Sequence, residues 1–179
     1  DMAMLESLFK HRGEQIACVV LEPIIGNAGS ISATQAWLQR LRDLCSEYGA
    51  MLVIDEVKTG FRVAKGGAQQ LYSIHADLTT YAKAMGNGYP VAAFGGRAEV
   101  MDVVGSYKGG VVHGGTYTGN LVALSAAHAT LEILDQTDAL KTIDRVGAQI
   151  RDLLGRVFAG AGIEYASVSY THLRAHETR

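Results

Sequence analysis

Two residues of this 179-residue chain, Asp55 and Lys83, stand where a side chain could do chemistry. Asp55 follows the apolar run Met51-Leu52-Val53-Ile54, and Lys83 follows Asp77-Leu78-Thr79-Thr80-Tyr81-Ala82, which reads as a short strand. In open α/β sheets, ligands collect outside the carboxyl ends of the strands, where both residues fall. Taken singly, Asp55 could cap the turn after its strand and Lys83 could be a solvated surface lysine. Together they are a buried carboxylate and an amine delivered to one sheet edge. They either pair with each other or address one ligand. The small residues around them, Ala82, Ala84, Gly86, Gly88, Ala92, Ala93, Gly95 and Gly96, leave room for a flat ring.

The elements that must position this pair are legible in the hydrophobic pattern. Ile16-Ala17-Cys18-Val19-Val20-Leu21 predicts a strand buried on both faces. Thr34 is placed to cap a helix over 35–48, with Trp37, Leu38, Leu41, Leu44 and Cys45 on one stripe and Gly49 ending it. The strand ending at Asp55 follows, completing a β-α-β unit, which favours parallel pairing. Val91–Gly96 predicts another strand. A helix is expected from after Asn120 to about Asp135, with Leu121, Leu124, Ala127, Leu131 and Leu134 on its apolar face. A second, over about 140–159, turns Ile143, Val146, Ile150, Leu153, Leu154 and Val157 inward.

Composition narrows the partners. The net charge is −2, which gives no electrostatic reason to expect nucleic acid or an anionic membrane. No apolar run approaches the ~18 residues of a membrane span. Two cysteines, Cys18 and Cys45, are too few for a disulfide scaffold, and a cytoplasmic location is expected. Gly86-x-Gly88 lacks the third glycine of a dinucleotide fingerprint.

Four motifs occur in order: Leu21-Glu22-Pro23; Val53-Ile54-Asp55-Glu56-Val57-Lys58-Thr59-Gly60-Phe61-Arg62; the run from Tyr81 through Lys83 to Arg97; and His113-Gly114-Gly115-Thr116-Tyr117-Thr118-Gly119-Asn120. This set resembles the class III aminotransferases of the fold-type I pyridoxal-phosphate enzymes, over roughly 16–162. The loop Gly26-Asn27-Ala28-Gly29 and the run Phe61-Arg62-Val63 lean toward glutamate-1-semialdehyde 2,1-aminomutase-like members. The resemblance implies an α/β fold, part of a mostly parallel-sheet large domain (residues 1–136), then the start of a small domain (137–167).

The resemblance also implies roles. Lys83 would hold the aldehyde of pyridoxal 5'-phosphate as a Schiff base and, once displaced, move a proton at the substrate Cα. Burial of such a lysine would lower its pKa and leave it available as a base. Asp55 would pair with the pyridine nitrogen, and Val57 would pack on a ring face. Thr116 would reach the cofactor phosphate of a neighbouring subunit, so the site would be shared in a homodimer. Glu22 and Asn27 would line the substrate. Lys58 stands where many relatives carry glutamine or methionine; it could contact the cofactor's phenolic oxygen or turn outward. Arg62 could bind a substrate carboxylate or be an exposed turn arginine. The substrates would be an amino acid or amine with a keto or aldehyde acceptor. Transamination and internal amino migration share every residue visible here. From another class, a non-catalytic α/β binding domain remains as the alternative.

Both ends read as unnatural boundaries. Residues 168–179 resemble a translated sequencing adapter, which disposes of the zinc-like spacing of His172, His176 and Glu177. The upstream phosphate-gripping loop and most of the small domain that the resemblance implies are expected to lie outside these residues. The chain alone is therefore expected neither to bind the cofactor tightly nor to turn over, and to expose apolar strand edges and faces.

Overall fold

The computed structural model describes residues 1–105, 110–167 and 173–175. Helix α1 (Met2–Arg12) is capped by the Asp1 side chain, which accepts the Met4 amide at 3.2 Å. Strand β1 (Cys18–Leu21) leads through the Glu22-Pro23 corner into a two-stranded antiparallel hairpin, β2 (Ile24–Ile25) and β3 (Ile31–Ser32). Helix α2 (Gln35–Glu47) starts where the Thr34 hydroxyl accepts the Trp37 amide at 3.2 Å. It ends before Gly49, whose φ of +70° turns the chain into the next strand.

Strand β4 (Met51–Asp55) is the hub. It pairs in parallel with β1, Leu21 opposite Ile54, and with β5 (Leu78–Tyr81), Asp55 opposite Thr80. The short helix α3 (Gly67–Tyr72) lies between β4 and β5. Strand β6 (Ala93–Gly96) closes the sheet antiparallel to β5, giving the order β1-β4-β5-β6. A short helix α4 (Ala98–Met101) follows, then α5 (Leu121–Gln136), capped by Asn120 on the Ala123 amide at 2.9 Å. Helix α6 (Ala139–Gly160) leads to β7 (Tyr165–Ser167), which pairs with β8 (Leu173–Ala175). Apart from β8, the expected non-native tail 168–179 lies outside the described residues, as do His172, His176 and Glu177.

One face of the sheet carries the core. Leu52 and Ile54 of β4 are wholly buried against Leu5 and Phe9 of α1 and Leu38, Leu41, Leu44 and Cys45 of α2. Burying each large aliphatic side chain contributes about 1.5–3 kcal/mol, so this two-helix cover supplies most of the local hydrophobic stabilisation. Strand alternation then turns Met51, Val53 and Asp55 to the opposite face. That face is more open. Val20 of β1 is 62% exposed, so β1 is an edge strand covered on one side only, shorter than the expected 16–21 and not buried on both faces.

Three further expectations are corrected. The strand before Arg97 begins at Ala93 rather than Val91, because the turn at Gly86–Tyr89 and Pro90 occupies the preceding residues. In α5, Ala123 and Ala127 are the buried positions, whereas Leu121 is 79% exposed and Leu124 is also exposed. In α6, Ile143, Val146, Ile150, Leu153 and Val157 are exposed, and only Gly155 is buried. The stripe exists at helical spacing, but the neighbours of α6, chiefly α5 and β7, cover little of it.

Candidate active site

Asp55 ends β4, and the Glu56 amide after it donates to the Thr80 carbonyl at 3.0 Å. The parallel ladder therefore runs on past the strand and fixes the backbone at Asp55. One Asp55 oxygen accepts the Val57 amide at 2.8 Å; its other oxygen takes no hydrogen bond among the described residues. Asp55 and Val57 are both half-buried, so the carboxylate is more open than expected.

Lys83 leaves the neighbouring strand tip, three residues beyond Thr80. Its φ of +42° is a left-handed conformation that a lysine adopts only when its surroundings impose it. The Gly86 and Asn87 amides, donating to the Lys83 carbonyl at 3.1 and 3.0 Å, are that imposition. The side chain is exposed, which corrects the expectation of a buried lysine, and its amine has no hydrogen-bond or ion-pair partner among the described residues. Acid and amine thus sit on adjacent parallel strand tips, about 4.8 Å apart between strands, at the same sheet edge.

A cavity of about 560 Å³ opens beside Lys83. Lys58, Thr59, Arg62, Ala84, Asn87 and the hairpin residues Ile24, Gly26 and Ser30 help to line it; Asp55 does not.

The hairpin loop is tied to the β4 loop. The Glu22 carboxylate accepts the Gly26 amide at 3.1 Å, and the Lys58 amine donates to the Asn27 side-chain oxygen. The Lys58 stem lies against Gly26, in the space a Cβ there would take. Of the weaker expected lining residues, Asn27 reaches this rim through Lys58, while Glu22 lines a second cavity with Pro23 and Trp37. Thr116 lies exposed in the turn before α5 and is not brought to Lys83.

The glycines divide. A Cβ at Gly86 would meet the Tyr89 carbonyl at 2.7 Å and the Val91 side chain, and one at Gly96 would meet the Asp77 carbonyl. Those two serve chain packing. At Gly88, which lines the cavity, the space is open, as room for a ligand requires.

Two buried acids escaped the sequence reading. Glu56, 1% exposed, accepts the Thr59 hydroxyl and the amides of Ala68 and Gln69 at 2.9 and 2.8 Å, holding the loop that carries Val57, Lys58 and Arg62. Asp77 accepts the Leu52 amide and Arg42 at 2.7 Å each and Arg97 at 3.1 Å. Burial opposes its charge, but the Leu52 amide and both guanidinium groups outweigh that and hold its pKa below the ordinary value. A charged residue abutting an apolar strand was the available signal for both. Burial, then the nearby Glu56 charge, pushes the Tyr81 phenol up; its ring packs on Phe61 at 5.3 Å. His113 meets Phe94 edge-on at 5.0 Å.

The family description "Aminotransferase class-III" matches residues 2–161. Glutamate-1-semialdehyde 2,1-aminomutase of Anaeromyxobacter sp. (strain Fw109-5) is 44% identical over 163 residues, covering 91% of this chain and 38% of that protein. Its counterpart in Pelotomaculum thermopropionicum is 44% identical over 164 residues, covering 92% and 38%. An omega-transaminase from Sphaerobacter thermophilus superposes with a TM-score of 0.89 at 32% identity, covering all of this chain and 42% of that one. A solved transaminase with PLP bound gives a TM-score of 0.88 at 31% identity, covering 95% and 40%. The chain spans under two fifths of the length of the curated relatives it matches.

Proposed function

From the premise that this chain belongs to the class III aminotransferases, with the α/β fold of their pyridoxal-phosphate-binding domain, we propose that it carries the cofactor-holding part of an enzyme that moves an amino group. The observation that carries this reading is the partnerless Lys83 amine one strand away from an Asp55 carboxylate with a free oxygen. The residues fit pyridoxal phosphate: an amine for its aldehyde, an acid for its ring nitrogen, and open space at Gly88.

When bound, the group supplies an electron sink for charge developing at the substrate Cα. In this reading Lys83 would hold the aldehyde end and could carry a proton at the substrate Cα, its position set by the backbone turn that holds its carbonyl. Asp55 would keep the ring nitrogen protonated by its charge, with one of its oxygens held by the Val57 amide and the other left to pair with that nitrogen. Val57 would steady the ring face, Asn27 would shape the substrate side through its contact with Lys58, and Thr116 would reach across a homodimer to a partner's phosphate, while Glu22 braces the hairpin through the Gly26 amide.

The same reading takes residues 1–136 as part of the large domain and 137–167 as the start of a small one; the break falls at Thr137-Asp138, between α5 and α6. The substrates are an amino acid or amine and a keto or aldehyde acceptor. Internal amino migration is the second reading, favoured by the 44% identity to aminomutases. A cytoplasmic location accords with two free cysteines, and none of the described helices is long and apolar enough to cross a membrane.

The test is reductive trapping. The full-length protein that contains this segment is incubated with pyridoxal phosphate, reduced with borohydride and mapped by peptide mass. The adduct is expected on Lys83; an adduct spread evenly over Lys10, Lys65 and Lys141 overturns the reading.

A further inference from the structure

We infer that Gln69 and Thr79, on the covered face of the sheet, are positioning residues that set how Asp55 and Lys83 stand to each other. The inference rests on the assignment of those two residues to one cofactor ring.

The ladder that aligns the two strand tips stops short of Lys83. Its last bond runs from the Glu56 amide to the Thr80 carbonyl at 3.0 Å. The next rung of a parallel pair would run from the Ala82 amide to the Glu56 carbonyl. That carbonyl accepts the Gly60 amide at 2.8 Å instead, and the chain turns away. The residues just before Lys83 therefore depend on ties from behind the sheet.

Gln69 is the main tie. Its backbone amide donates at 2.8 Å to the carboxylate of Glu56, the residue directly after Asp55. Its side-chain nitrogen donates to the Thr79 hydroxyl at 3.0 Å, four positions before Lys83. The side-chain oxygen accepts the Ala76 amide at 2.8 Å. A backbone N–H can only donate, so Ala76 fixes which end of the Gln69 amide is oxygen and turns the nitrogen to Thr79. Thr79 is 6% exposed and stands opposite Ile54 in register, so its hydroxyl lies on the face away from Asp55. Tyr81 adds a second tie: its ring packs on Phe61 at 5.3 Å and against Gly60, where a Cβ would meet it at 2.8 Å.

Gln69 and Thr79 are both uncharged. Replacing either leaves the charges around Asp55 as they were, so any effect at the site passes through position. When the tip carrying Lys83 drifts from the tip carrying Asp55, a ring held at Lys83 draws back from the acid. Its nitrogen then loses part of the negative charge that keeps it protonated.

The experiment uses the full-length protein that contains this segment, with pyridoxal phosphate labelled with ¹⁵N at the ring nitrogen and reduced onto Lys83. The ring-nitrogen shift is followed with pH. Thr79→Val keeps the shape and loses the hydroxyl; Gln69→Met keeps the length and loses both side-chain bonds. Each is expected to lower the titration midpoint by about one pH unit, part of the way to Asp55→Ala. Thr79→Ser, which keeps the hydroxyl, should titrate as the parent does. Where Asp55→Ala is already present, Thr79→Val should add nothing, because the acid through which it acts is gone. Unmoved midpoints in Thr79→Val and Gln69→Met, an equal fall in Thr79→Ser, or a further fall in the double variant would each overturn the inference. Peptide mapping of the adduct keeps the two assignments apart. No adduct on Lys83 in the parent overturns the cofactor reading and this inference with it, whereas an adduct with unmoved midpoints overturns this inference alone.

Discussion

The Glu56 carboxylate accepts the Gln69 amide at 2.8 Å, thirteen positions away in sequence. The acid directly after Asp55 is thus spent on the start of α3, and the two neighbouring carboxylates serve opposite faces of the sheet. Asp55 points to the open side with a free oxygen, while Glu56 closes the loop that carries Val57, Lys58 and Arg62.

Removing that charge should therefore loosen the loop without touching the reacting groups. Glu56→Gln is expected to lower stability by about 1–3 kcal/mol, since buried amides lose a charged acceptor. Gly67→Ala should act in the same direction. Its φ is +66°, and a Cβ there would press on the Glu56 carboxylate. Urea denaturation measures both; a Glu56→Gln chain as stable as the parent would show that the buried acid holds nothing.

Asp77 predicts an acid limb. Its folded pKa is depressed because the Leu52 amide, Arg42 and Arg97 overcome the cost of burial. A depressed carboxyl stabilises the fold fully above its unfolded pKa, ordinarily 3.8, and that contribution fades as pH falls through the lower folded value. Stability should fall below about pH 4 in the parent and show less of that slope in Asp77→Asn, which is itself expected to be about 2 kcal/mol less stable at neutral pH. Melting temperatures from pH 2 to 7 check this; equal acid slopes in the two chains would contradict it.

The two thiols should separate cleanly. Cys18 is exposed on the edge strand, whereas Cys45 is buried under α1 and β4, and burial raises its pKa. A thiol reagent is expected to modify Cys18 in the native chain and Cys45 only on unfolding. Mass spectrometry after brief labelling reads the order, and simultaneous modification would mean that α2 does not pack as described.

Much of this was legible in the sequence. The β1-α2-β4 unit, its Thr34 cap and its stripe follow from spacing, and the placement of Asp55 and Lys83 on one edge follows from strand order. What was not legible depends on three-dimensional neighbours. The stripes of α5 and α6 mark which residues seek cover, but spacing does not reveal whether cover is present, and Leu121 and Ile150 lie exposed. Lys83 is a further case: residue type suggests a buried base, yet exposure is set by elements that pack over the strand tip. Glu56 and Asp77 were missed because their partners, Gln69 and Arg42 among them, are brought close only by folding.

The central claim is that Asp55 and Lys83 act on one ring. Pyridoxal phosphate labelled with ¹⁵N at its ring nitrogen and reduced onto Lys83 tests this most directly, by following the ring-nitrogen shift with pH. The nitrogen should stay protonated to higher pH in the parent than in Asp55→Ala; an identical titration in the two chains would contradict the account.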